Sequence, residues 1–200
     1  MGTQFEPIHL KLSYKGDRHY VQGADIWRAT EFALREKLCG AVLTNLCFRE
    51  SATGQVSILQ EPRERNFGEL SIKDQNGRRQ DLKLIDSGVP LESRRAFDES
   101  LIVGLMTFSD GAGSLKGPSP YPLEDTVISM IKAVCYEDGA PAIGKWLFAR
   151  ISKEPEMSAV MSSIDLRVER MQQIKGRFAR FRVYSEGRHF SNIDFCVGTV

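Results

Sequence analysis

The feature that most constrains this fold is an element pattern that occurs twice: a strand, one long helix, then four strands. In the first half, Ile8, Leu10, Leu12 and Tyr14 alternate with His9, Lys11 and Ser13, which predicts a strand over Pro7 to Tyr14 with one buried face. Ile26, Ala29, Thr30, Ala33, Leu34 and Leu38 recur at three- and four-residue steps, predicting a helix over Ala24 to Leu38 that Gly40 stops. Ala41 to Glu50 and Gln55 to Gln60 read as a hairpin joined by Ser51 to Gly54. Phe67 to Lys73 and Gln80 to Ile85 read as another, because Asn76 and Gly77 between them tolerate the positive backbone angles of a tight turn.

The second half starts over. Leu101 to Phe108 reads as a strand, and Ser109 to Pro120, with its glycines and prolines, as a loop. Leu123, Val127, Ile131, Val134 and Cys135 form the apolar stripe of a helix over Leu123 to Tyr136; Pro122 suits its start, and Glu124 and Asp125 complement its dipole. Strands are expected over Ala142 to Ser152, Val160 to Arg170, Gly176 to Tyr184 and Arg188 to Val197, with Ser185 to Gly187 turning between the last two.

A shift of 101 positions superposes Tyr20 on Tyr121, Glu36 on Glu137, Ala41 on Ala142, Leu46 on Leu147, Arg49 on Arg150 and Ser51 on Ser152 without a gap. Six identities in that window, running through the same helix-to-strand transition, favour duplication over chance. The expectation is an α+β chain of two repeats, residues 1–97 and 98–200.

Charge excludes some partners. With 27 basic and 26 acidic side chains the net charge is +1, so no summed field draws the molecule to nucleic acid or an anionic membrane. Cys39, Cys47, Cys135 and Cys196 lie far apart, without the spacing of a metal site or a disulfide framework. They read as thiols in a reducing cytoplasm. Met1 to Ser13 lacks the pattern of a secretory signal, and no apolar run reaches the length of a membrane span.

A strand, a long helix and four antiparallel strands resemble the hotdog fold, in which a curved sheet wraps a central helix. The segment Asp17-Arg18-His19-Tyr20-Val21-Gln22-Gly23-Ala24-Asp25 is similar to the His-then-Gly entry to the central helix of A-factor-type and β-hydroxyacyl-thioester dehydratase hotdog proteins. Gly176 to Val197 resembles the closing hairpin of such domains. The resemblance implies two tandem hotdog-like repeats forming a pseudo-dimeric unit, with a substrate tunnel between them. It implies chemistry on acyl groups carried by coenzyme A or an acyl carrier protein, of dehydratase, thioesterase or acyltransferase type, with no cofactor of its own. A small-molecule acyl thioester, an acyl carrier protein and a second copy of the chain are the expected partners.

His19 is the leading catalytic candidate, since an imidazole moves protons near neutral pH, with Asp25 and Glu31 as the carboxylates of its helix. Amides around Gly23 and Ala24 offer a place for a thioester carbonyl at the helix start. Arg18, Tyr20, Trp27, Tyr121 and Glu124 complete the expected ligand-binding set, and no metal ligand set is expected. The entry to the second helix, Ser119 to Asp125, has neither His nor Gly, so at most one working site per chain is expected. Asp25 also reads as a first-turn charge favoured by the dipole, and His19 as a surface histidine.

Gly111 to Gly117 follows a strand pattern but lacks the G-K-[ST] ending of a phosphate-binding loop, and reads as a flexible linker between the repeats. Arginines 63, 65, 78, 79, 94 and 95 form clusters suited to a phosphate or to solvated turns. No serine-hydrolase elbow or zinc-hydrolase motif occurs. The leading function is an acyl-thioester enzyme; the alternative is a hotdog module that binds an acyl or other apolar ligand without chemistry.

Overall fold

The computed structural model describes residues 6–38, 40–61, 66–153 and 164–199. Cys39, Arg63, Arg65, the first residues of the chain and the start of the strand expected from Val160 lie outside them. The chain divides into two compact units, Met1–Phe97 and Asp98–Val200.

In the first unit, the alternation read over Pro7 to Tyr14 is split into β1 (Ile8–His9) and β2 (Tyr14–Lys15). Helix α1 (Gly23–Lys37) follows, with Asp25 in its first turn and Arg35 and Lys37 in its last, as the macrodipole favours. Its buried face is Ala24, Asp25, Ile26, Trp27, Thr30, Ala33 and Leu34. Strands β3 (Val42–Phe48), β4 (Val56–Leu59), β5 (Gly68–Lys73), β6 (Arg79–Asp86) and β7 (Arg94–Arg95) complete the unit. The sheet order is β1-β4-β6-β5-β3, and α1 packs on β3. Leu43, Leu46, Ile58, Leu70, Ile72, Leu82 and Leu84 are at most 3% exposed, each burial contributing about 1.5–3 kcal/mol.

The hairpin expected from Ala41 to Gln60 does not form: β3 pairs with β5, whereas β4 pairs with β1 and β6. The intended turn is anchored elsewhere. Val21 donates to the Ala52 carbonyl at 2.8 Å, the Thr53 amide donates to Asp86 Oδ2 at 2.7 Å, and the Gln55 amide donates to the Val89 carbonyl at 2.8 Å. These bonds carry the chain across to the far side of the sheet. The hairpin over Asp74 to Gly77 forms, with Gly77 at φ +75°.

In the second unit, the strand expected over Leu101 to Phe108 is instead helix α2 (Ser100–Val103) followed by β8 (Met106–Ser109). Asp98 Oδ1 explains the change: it accepts from the Ser100 amide at 2.9 Å and from the Ser100 hydroxyl at 2.7 Å, nucleating a helical turn. The expected linker is also corrected, because its glycine-rich stretch is strand β9 (Ala112–Lys116), paired with β8 and, further on, with β11 (Asp165–Ile174). Gly113 lets this strand sit close to its neighbours, since a Cβ there would fall 2.6 Å from Met106 Cε and 3.0 Å from Val134 Cγ2.

Helix α3 (Leu123–Glu137) packs against β9, β10 (Lys145–Lys153), β11 and β12 (Phe178–Ser185), and β13 (Arg188–Gly198) closes the unit. Val127, Met130, Ile131 and Val134 of α3 and Leu166, Val168, Ala179, Phe181 and Val183 of the sheet are at most 1% exposed. The order is β8-β9-β11-β12-β13-β10. The units differ, among other things, in the order of the last hairpin. After the helix, the last hairpin presents its earlier strand β5 to β3 in the first unit, but its later strand β13 to β10 in the second. Their 15-residue helices correspond at a shift of 100, one residue from the best sequence alignment.

Candidate functional site

The start of α1 is where the sequence places its chemistry, and local structure there is set by two short strands. β2 and β7 pair in parallel, Tyr14 opposite Arg94 and Lys15 opposite Arg95. Tyr14 locks this pairing: its hydroxyl donates to the Thr53 carbonyl at 2.5 Å and accepts from the Leu91 amide at 3.2 Å. The pairing delivers Lys15 and Arg95 to the first turn of α1.

There Asp25, 1% exposed, receives three cations. Lys15 Nζ lies 3.0 Å from Oδ2, a charge contact without hydrogen-bond alignment, and Arg28 Nη2 and Arg95 Nη2 donate to Oδ1 at 2.6 and 2.7 Å. The Phe97 ring sits beneath the group, with Lys15 Nζ at 4.7 Å and the Arg18 and Arg95 guanidinium carbons at 5.8 and 5.9 Å from its centroid. Asp25 therefore works as a counter-ion that organises cations.

His19 is exposed and makes no hydrogen bond or ion pair among the described residues. The backbone before it is held firmly, because Arg94 Nη1 donates to the Gly16 carbonyl and, at 2.9 Å, to the Arg18 carbonyl. Glu31 serves the core: Trp27, 1% exposed, donates its indole N–H to Glu31 Oε1 at 2.7 Å, and Arg35 reaches Oε2 at 3.4 Å. No hydrogen bond or ion pair joins His19, Asp25 and Glu31, so the structure does not assemble them as a triad. Gly23 and Ala24 open α1, Ala24 being 1% exposed, and the Asp25 amide is already given to the Gln22 carbonyl at 2.9 Å. Tyr20 is half-buried in the segment leading to α1.

In the second unit, the Tyr121 hydroxyl accepts from the Asp98 amide at 2.9 Å, tying the entry of α3 to the base of α2. Of the adjacent carboxylates, Glu124 is half-buried and Asp125 is 1% exposed. Asp25 and Asp125 thus occupy the third position of their helices, both buried. Sequence reasoning named Asp25 and, in a separate basic cluster, Arg95, but not Lys15 or Arg28. A lysine at a strand end reads as exposed, and only pairing with a segment some eighty residues away buries it. The guanidinium of Arg28 was legible, three residues after Asp25 on one helix face.

No family model matches the chain, and no curated protein matches it in sequence. Among solved structures, a protein of Thermobifida fusca YX described as a candidate thioesterase II matches at TM-score 0.50 and 12% identity, over 96% of this chain and 91% of that one. The tesB protein of Mycobacterium avium subs paratuberculosis matches at TM-score 0.48 and 11% identity, over 94% and 92%. The erythromycin dehydratase matches at TM-score 0.45 and 11% identity, over 95% and 84%. The likeness establishes the class: this is a hotdog-fold protein. At these identities it establishes the fold alone. Among the described residues, no helix is long and apolar enough to cross a membrane.

Proposed function

We propose that this chain is a double hotdog protein that acts on an acyl thioester carried by coenzyme A or an acyl carrier protein. The single observation that supports this reading is the fold shared with the candidate thioesterase II over 96% of the chain. Each unit contributes one long helix that packs on its antiparallel sheet, in keeping with a central helix repeated twice.

Within this reading, His19 moves the proton. Its imidazole stands in solvent on a segment that Arg94 fixes from behind, just before the start of α1, where amides and helix dipole favour a polarised carbonyl. Asp25 is a positioning residue: it holds Lys15, Arg28 and Arg95 in place. In a thioesterase, His19 would take a proton from water as it attacks the carbonyl carbon, and the thiol would leave with a proton. In a dehydratase, it would take the proton next to the carbonyl, and the 3-hydroxyl would leave as water.

The second reading is a binding module without chemistry. The absence of a hydrogen-bond partner to orient the His19 ring favours it, since catalytic imidazoles are ordinarily held by a second group. Purified protein incubated with a panel of acyl-coenzyme A thioesters decides between them. Turnover, read as free thiol release or as the ultraviolet absorbance of an enoyl thioester, and lost in His19→Ala with folding retained, supports the enzyme. A raised melting temperature without turnover supports the binding module. No response to any thioester overturns both.

A further inference from the structure

Among the described residues, strand β8 bonds only to β9 and stands at the end of the second unit's sheet. Sheet edges carry unpaired backbone donors and acceptors, and proteins ordinarily blunt them with charge, proline or a covering element. Here apolar side chains cluster at the edge and in the segment just before it. Leu101, Val103, Leu105 and Phe108, all within eight residues, expose between 36% and 51% of their surface. Beside them a groove of about 390 Å³ runs between α2, β8 and α3, lined by Val103, Phe108, Ala133 and Tyr136, with Ser129 also contributing.

Two carboxylates, Glu99 and Glu137, line this groove. Glu137 stands at the C-terminal end of α3, where the dipole is already negative, and the last turn holds no basic residue. It has no ion-pair partner among the described residues. Asp110 lies exposed just past the end of β8, and the Arg170 guanidinium, which sits against the adjacent Gly111, is paired with Asp138. The groove's cation, Lys132, is committed to Glu99 at 2.6 Å.

We propose that the β8 edge and this groove form a docking site for an extended segment of a partner protein, apolar at alternate residues and basic between them. Such a segment adds a strand to β8. Its apolar side chains enter the groove beside Phe108, and its basic ones meet Glu137 and Asp110. An acidic partner is disfavoured by the same carboxylates. The site is built from residues of the second unit alone and stands whether or not the chain acts on thioesters.

The test uses a fluorescein-labelled synthetic peptide of alternating lysine and valine, with alternating glutamate and valine as control, followed by fluorescence anisotropy against the full chain. The basic peptide binds and the acidic one does not. Phe108→Ser and Glu137→Lys each weaken binding by about tenfold or more, while Phe32→Ser, at an exposed phenylalanine of α1, leaves it unchanged. Glu137→Lys alters only an exposed helix end, so it remains informative if Phe108→Ser fails to fold. Failure of the basic peptide to bind, equal binding of both peptides, or indifference to Glu137→Lys overturns the proposal. Sedimentation showing a dimer that Phe108→Ser converts to monomer also overturns it, by assigning the edge to a second copy of this chain.

Discussion

Lys15 Nζ lies 3.0 Å from Asp25 Oδ2, and the two side chains are 0% and 2% exposed. A buried ammonium and carboxylate depend on each other, because neither recovers in the protein the hydration it gave up. Asp25→Ala leaves the ammonium without this carboxylate and is expected to destabilise the protein by about 3–5 kcal/mol. Urea unfolding of the variant measures this, and an unchanged midpoint would refute the coupling.

Gly54 carries a second, purely steric prediction. A Cβ there would lie 2.4 Å from the Val89 carbonyl oxygen and 2.9 Å from the backbone of Gly88, and backbone cannot swing aside as a side chain can. Gly54→Ala is expected to cost about 2–3 kcal/mol. The melting temperature should fall by several degrees, more than for an alanine at exposed Gln55.

Burial pushes the Cys135 thiol up from 9.0 to about 12. Reaction needs the thiolate, so iodoacetamide at mildly alkaline pH should leave Cys135 untouched in the folded protein and label it on unfolding. Mass spectrometry of the digested protein reads this. The linkage has a definite sign: the raised value stabilises the fold below pH 9 and that contribution is lost as pH rises from there toward 12. Cys135→Ser should therefore show a shallower alkaline loss of stability.

At the acid end, the Lys83 ammonium, hydrogen-bonded to Glu69 at 3.0 Å, holds the Glu69 carboxyl below its ordinary 4.5. A lowered carboxylate stabilises the fold above its unfolded value and ceases to as pH falls through the folded one. Glu69→Gln removes that dependence, so its urea midpoint should decline less steeply than the wild type's below pH 4.5. Identical slopes would show that the pair contributes nothing measurable.

Both long helices and the Asp74 to Gly77 hairpin were legible because their signals are local: periodicity, a first-turn acid, a positive-φ glycine. Strand partners were not. Val42 to Phe48 and Val56 to Leu59 were recognised as strands, yet only the bonds of residues 52 to 55 to Val21, Asp86 and Val89 decide that they separate. The same limit hid the floor of the candidate site. Asp25 and His19 were visible as residue types, but the burial of Lys15 follows from a parallel pairing with a segment beyond five intervening strands and helices, which no window of sequence contains. Ser100 to Val103 misled for a different reason: its apolar residues suit either state, and a single carboxylate, Asp98, tips them into a helix.

The swapped hairpin order bears on how the two units are made. In the first, β3 meets β5, the second strand after it, Val42 opposite Lys73. In the second, Lys145 lies opposite Gly198, so β10 waits for the last strand of its unit before its neighbour there exists. On a ribosome the first unit can complete its pairings early, whereas the second holds β10 in reserve until β13 is synthesised. A nascent chain halted before Arg188 would thus carry a finished first unit and a second one missing the strand that joins its two ends.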